Sequence, residues 1–164
     1  ILNNKSQQIS NNIYTSGEIT ERPEVDGTEK MAFHRENGKL VKDPILDDLS
    51  LIISTKEGEI IIAGCAHSGI LNICKQVKET TGRKIIAIIG GTHMVSYSPE
   101  EVLHVIITLK KKYDNPDLFL NHCTDKLPIP FVKKTKAFDI VRENQAEGKV
   151  EKCYVGTKLT YECN

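Results

Sequence analysis

Three segments decide the architecture when read together: IIIAGCAHSG (residues 60–69), IIAIIGGTH (85–93) and LFLNHCT (118–124). In each, a short, strongly apolar run leads within a few residues to a histidine: His67, His93 or His122. Such runs are too short for helices and read as buried strands. Between the first and second lie Ile70, Ile73, Cys74 and Val77, the i, i+3, i+4, i+7 stripe of a helix with one buried face. Gly82 stands where that helix would end in the left-handed conformation. Between the second and third, Ser98-Pro99-Glu100-Glu101 predicts a helix start with a capping serine, a proline in the first turn and a glutamate to close the capping box. Val102, Ile106, Leu109 and Tyr113 continue that stripe to a stop near Asn115-Pro116. The order is βαβαβ. Crossovers of this kind are right-handed and make neighbouring strands parallel. The three histidines are therefore expected on one edge of the sheet, the carboxyl edge, where open α/β folds bind ligands.

Outward from this centre, Leu51-Ile52-Ile53 and Ile60-Ile61-Ile62 flank Lys56-Glu57-Gly58, a hairpin signal. Ile13-Tyr14-Thr15 reads as a short strand broken at Gly17, and a further strand is expected around Met31 to Phe33. A short helix is expected around Pro130 to Phe138. Val150 to Val155 and Lys158 to Tyr161 read as a closing pair of strands turned at Gly156. Residues 1–12, polar and rich in Asn, Gln and Ser, are expected to be a tail. No repeat or low-complexity linker divides the chain, so residues 1–164 read as one domain.

The totals exclude several classes of function. Twenty-two basic residues balance 22 acidic ones, without the basic excess of a nucleic-acid binder. The lysine clusters at 110–112 and 133–136 read as solvated helix faces. No apolar run approaches the roughly 20 residues of a membrane span, and no leader pattern is visible. Five cysteines, an odd number without paired metal-site spacing, suit a reducing cytoplasm and thiols rather than disulfides. The chain opens on Ile1 rather than a methionine, which suggests a piece of a longer protein.

The chemistry lies at the three strand ends. Neutral imidazole ligates zinc, iron or manganese and exchanges protons near neutral pH. Cys65 and Cys123 add thiols suited to a soft metal. Gly64, Gly90 and Gly91 allow close backbone approach, and the helix beginning at Ser68-Gly69 presents N–H groups to an anion such as phosphate. His34 and His104 read as incidental, and Cys74 as a small core residue.

These residues also carry a resemblance. Asp47-Asp48-Leu49-Ser50-Leu51, Lys56-Glu57-Gly58, Gly64-Cys65-Ala66-His67-Ser68-Gly69-Ile70, Gly90-Gly91-Thr92-His93-Met94 and His122-Cys123-Thr124 resemble the metal-dependent hydrolase branch of the metallo-β-lactamase superfamily, some of whose members are linked to pterin or methanopterin biosynthesis as phosphate synthases. Ser16-Gly17-Glu18-Ile19 looks like a degraded form of that branch's Thr-Gly-Glu-Ile-Pro-Arg segment. The resemblance runs from about Tyr14 to Leu159. It implies an α/β fold, the C-terminal half of an αββα sandwich, with a mixed sheet and helices on one face. It implies a divalent metal, zinc first, with iron or manganese as alternatives, held by His67, His122 and Cys65. His93 would be catalytic. The superfamily's His-x-His-x-Asp-His motif does not occur in these residues and belongs to an N-terminal half in relatives. The usual His-Cys-Thr-Gly here ends in Asp125.

Three functional expectations follow. The first is part of a metal-dependent hydrolase acting on a small phosphorylated or ester-like substrate, the fragment alone being inactive. The second is a metal-free phosphate- or nucleotide-binding module using the helix start after Ser68. No Walker or dinucleotide glycine motif is present, which lowers the second. The third is a thiol-based redox or iron-binding role for Cys65 and Cys123, lowered further because the paired-cysteine spacing of such sites is missing. With helices on one face, Ile52, Ile61, Ile86 and Ile88 are among the apolar residues available to both faces. A missing N-terminal half, a cleaved partner chain or a second copy is expected to cover the bare side, since exposed apolar patches beyond a few hundred Å² are rare.

Overall fold

The structure is a computed structural model and describes residues 4–27, 32–125, 136–145 and 147–163. Nine strands and three helices are described: β1 (Gln8–Ser10), β2 (Ile13–Thr15), β3 (Phe33–Glu36), β4 (Lys39–Lys42), β5 (Ser50–Ser54), β6 (Glu59–Ala63), α1 (Ile70–Thr81), β7 (Ile85–Gly90), α2 (Pro99–Lys112), β8 (Asp117–Leu120), α3 (Ala137–Asn144) and β9 (Val150–Lys152). Seven strands form one mixed sheet in the order β1-β2-β5-β6-β7-β8-β9. The β5–β6 hairpin is antiparallel, pairing Ile52 with Ile61. From β6 through β7 and β8 to β9 the strands run parallel, as the βαβαβ reading requires.

Both long helices end as their sequences dictate. Gly82 closes α1 at φ 66°. At the start of α2 the Ser98 hydroxyl accepts from the Glu101 amide at 3.2 Å, and the Glu101 carboxylate accepts from the Ser98 amide at 2.7 Å. Glu100 and Glu101 in the first turn and Lys110 to Lys112 in the last complement the helix dipole.

The helices cover one face. Ile52, Ile61, Ile85 and Ile88 pack there with Ile70, Ile73, Cys74 and Val77 of α1 and Val102, Ile106 and Leu109 of α2. The other face carries Ile60, Ala87 and Phe119, flanked by Ile53, Ile62, Ile86 and Ile89. A bulge sets this division. Glu59 pairs with Ile85 and Ile60 with Ala87, so Ile86 is the extra residue and leaves the strict alternation. Of the four isoleucines expected to serve both faces, Ile52, Ile61 and Ile88 therefore lie under the helices, and Ile86 alone joins the second face.

The second face is also less bare than expected. Instead of a closing strand pair, Val150–Lys152 forms β9 beside β8, and the chain after Gly156 crosses the sheet. Leu159 and Tyr161 pack on the Ile60, Ala87 and Phe119 cluster. The crossing is anchored where the Lys56 amide donates to the Glu162 carbonyl at 3.0 Å and by a bridge between Thr55 and Cys163. Apolar Leu159 and Tyr161 gain more from the open sheet face than from a solvated edge hairpin.

One further expectation changes, and two fall partly outside the described residues. Gln8–Ser10, inside the expected tail, is an edge strand with exposed side chains, held by backbone pairing with β2; its polarity marks an edge. Around Met31 to Phe33, residues 28–31 lie outside the described residues, and a hairpin of β3 with β4 begins at Phe33. It turns at Asn37 and Gly38, both at positive φ, the Asn-Gly hairpin signature. Most of the helix expected at 130–138 also lies outside the described residues, and the helix described there, α3, runs from Ala137 to Asn144. No helix among the described residues is long and apolar enough to cross a membrane.

Candidate metal centre

The loops after β6, β7 and β8 emerge side by side and are tied to one another. The Gly91 amide donates to the Gly64 carbonyl at 3.3 Å, and the Asn121 amide to the Gly90 carbonyl at 3.0 Å. Gly90 has φ 124°, and a β-carbon there would stand 1.9 Å from the Ala63 carbonyl oxygen, so no larger residue fits. A β-carbon on Gly91 would stand 2.8 Å from the Cys123 sulfur; its absence is what lets that thiol reach inward. Thr92 and Thr124 join the second and third loops through their hydroxyls at 2.9 Å.

Cys65, His93 and Cys123 meet at the centre. Cys65 Sγ is 3.2 Å from His93 Nδ1 and 2.9 Å from Cys123 Sγ, and the His93 amide donates to Cys123 Sγ at 3.3 Å. Cys123 and His93 are almost fully buried, Cys65 partly so. Burial pushes the Cys123 thiol up, opposed by its contacts with Cys65 and the His93 amide. Among the described residues these three form the group able to hold a metal ion, their ligand atoms all within 4.8 Å of one another.

The other expected site residues surround this group. The His67 ring stands 4.1 Å from that of His93, centroid to centroid, tilted by 41°. His122, adjacent to Cys123 in the chain, is exposed and lines an open cavity of about 640 Å³ together with Asn121, Asp125, Lys152 and Tyr154. Each of the three loops holds a non-glycine residue in the left-handed region, Ala66 at φ 55°, His93 at 47° and His122 at 48°. Backbone strain of this kind gathers at functional sites.

Sequence reasoning missed the supports. Asp48 Oδ2 accepts from the Ser68 amide at 2.9 Å and the Ser68 hydroxyl at 2.6 Å. The Gly69 amide donates to the Ala66 carbonyl. The two N–H groups expected to receive an outside anion thus have partners within the chain. The 16–27 segment closes over the loops: the Gly27 amide donates to the His67 carbonyl at 2.8 Å, and a β-carbon on Gly27 would come within 2.7 Å of the His93 ring. Tyr97 Oη and Asn72 hold the same segment at Val25 and Glu24. His104, expected to be incidental, is 2.7 Å from the Glu24 carboxylate. His104 and Lys112 hold that carboxyl below the usual range, against its burial. The signals for these supports were single polar residues far away in sequence, which no local pattern connects.

The chain superposes on the crystal structure of a metal-dependent hydrolase of the β-lactamase superfamily with a TM-score of 0.79 and 26% identity, covering 99% of this chain and 58% of that one. This chain belongs to the metallo-β-lactamase superfamily. Among curated relatives of this superfamily member, it is 31% identical over 128 residues to the 7,8-dihydropterin-6-methyl-4-(β-D-ribofuranosyl)-aminobenzene-5'-phosphate synthase of Methanocaldococcus jannaschii, across 76% of this chain and 43% of the relative. It is 33% identical over 107 residues to an uncharacterised protein of the same organism, across 65% of this chain and 38% of that protein. The metallo-β-lactamase chain thus spans less than half the length of the curated relatives it matches. No family model matches it.

The superfamily implies a metal, and the donor set fits one in type. Two thiols and an imidazole suit zinc or a softer ion better than a hard, oxygen-seeking cation. Two thiolates bound tetrahedrally to zinc at about 2.3 Å stand about 3.8 Å apart. The Cys65 and Cys123 sulfurs, 2.9 Å apart, would separate by roughly 0.9 Å to hold such an ion.

Proposed function

We propose that this chain forms part of a metal-dependent hydrolase acting on a small phosphorylated or ester-like substrate. The observation that carries the reading is the meeting of Cys65, His93 and Cys123, with the His67 ring against His93, at the carboxyl ends of parallel strands. Cys65, His93 and Cys123 would hold the ion, zinc by donor type. This reading exchanges the roles expected for His67 and His93, because His93 Nδ1 is the nitrogen directed at the Cys65 sulfur. A divalent ion there supplies Lewis-acid polarisation of an ester or phosphate oxygen. His67, whose ring stands against that of His93, would then act as the proton-exchanging group. Lys152, with Nζ 4.9 Å above the Phe138 ring, would meet an anionic substrate in the cavity that His122 lines.

In the same reading an N-terminal half carrying His-x-His-x-Asp-His completes the site and adds cover to the second sheet face, and the protein works in a reducing cytoplasm, consistent with five thiols. The metal-free phosphate module is the weaker reading, because Asp48 already places a carboxylate against Ser68. Elemental analysis of the full-length parent, purified without chelator, tests the proposal. Stoichiometric zinc, iron or manganese, reduced at least tenfold by Cys65→Ser or His93→Ala, is expected. A metal-free parent that binds inorganic phosphate would overturn it in favour of the module.

A further inference from the structure

We propose that Cys65 and Cys123 are a reversible redox pair, a thiol modification site that closes to a disulfide across the mouth of the sheet. The two residues lie 58 positions apart in the sequence, yet they come from loops on either side of the one that follows β7. Their sulfurs are 2.9 Å apart. A disulfide needs about 2.0 Å, so closure from 2.9 Å asks for a movement of about 0.9 Å, comparable to the separation that zinc would require. The space for Cys123 Sγ is made by the missing side chain of Gly91, so the approach of the thiols follows from the backbone as well as from rotamer choice.

Exposure divides the labour. Cys65 is partly exposed and can meet a small oxidant, whereas Cys123 is 1% exposed and waits behind it. With a peroxide as oxidant, the Cys65 sulfur displaces one oxygen of the O–O bond, giving Cys65 sulfenic acid and one water. The Cys123 thiol then attacks the Cys65 sulfur, forming the S–S bond and releasing a second water. In sum the two thiols lose two hydrogens and two electrons, and the peroxide becomes two waters. A low-molecular-weight disulfide serves equally through a mixed disulfide on Cys65, leaving as two thiols. Of the remaining cysteines, Cys74 is sealed in the helix-side core and Cys163 bridges the distant Thr55 edge, while Cys153 lines the cavity beside His122 and is the competitor the test must exclude. The oxidised form would have two of its three central donors tied up, so the same pair would set whether the centre can accept a metal.

Peptide mapping tests this. The reduced, metal-stripped protein is treated with hydrogen peroxide, or separately with glutathione disulfide. Remaining thiols are then blocked with N-ethylmaleimide and the digest is analysed without reductant. A cross-linked peptide pair carrying Cys65 and Cys123 is expected, lost again on adding dithiothreitol. In Cys123→Ser, Cys65 should stop at the sulfenic acid and be trapped by dimedone. If wild-type Cys65 and Cys123 both label as fully after oxidant as before it, or if either pairs instead with Cys153 or Cys163, the proposal is wrong. The wild-type map decides the matter even if a variant fails to fold.

Discussion

Replacing Asp48 by alanine should destabilise the chain by about 2–3 kcal/mol. The carboxylate accepts two bonds from Ser68, at 2.9 Å from the amide and 2.6 Å from the hydroxyl. Hydrogen bonds to a charged group contribute about 1.5–3 kcal/mol each, and Ser68 is fully buried, so its donors would be stranded. Asp48 itself is partly exposed, and water entering beside it would recover some of that loss, which puts the expected cost at or below the floor of the summed range of about 3–6 kcal/mol. For a chain of this size the cost corresponds to a fall in Tm of about 4–12 °C. Urea unfolding of wild type, Asp48→Ala, Ser68→Ala and the double variant measures it, with hydrogen exchange at the Ser68 amide as a local probe. The coupling between the two positions should be at least about 1 kcal/mol, as expected for residues sharing a hydrogen-bond network. A single variant within about 0.5 kcal/mol of wild type, the scale of an ordinary surface change, would refute the claim that Asp48 anchors the histidine loop.

Three further outcomes are expected. Gly90→Ala should cost at least about 3 kcal/mol or abolish folding, because its β-carbon would stand 1.9 Å from the Ala63 carbonyl oxygen at φ 124°; a soluble variant with wild-type Tm would contradict the geometry. Ser98→Ala should cost about 1 kcal/mol through loss of the capping box, and an unchanged urea midpoint would count against it. Glu24 has its carboxyl held below the ordinary value of 4.5 by His104 and Lys112. Its contribution is therefore fully present above that value and is lost as pH falls through the lowered folded value. The stability gap between wild type and Glu24→Gln should shrink on acidification below about pH 4.5, and a gap constant from pH 6 to 3 would remove the Glu24–His104 contact from the account.

Local patterns determined much of the framework. The β5–β6 hairpin, the two helical stripes, the capping box at Ser98 and the stop at Gly82 are short-range features, and each lies where its few neighbouring residues place it. The handedness rule then carried the loops after β6, β7 and β8 to a common edge, since parallel strands align their carboxyl ends whatever the loops contain. What the sequence could not determine was which side chains in those loops would touch. His122 and Cys123 are neighbours, and only the loop's path, with φ 48° at His122, settles that Cys123 faces Cys65 while His122 lines the cavity. A register shift of one residue between Glu59 and Ile60 likewise chose which isoleucines met the helices. The cover given by residues 16–27, the Asp48 anchor and the crossing of Leu159 and Tyr161 over the second face all join segments far apart in the chain. Such contacts depend on where every intervening element packs, and so only the tertiary structure decided them.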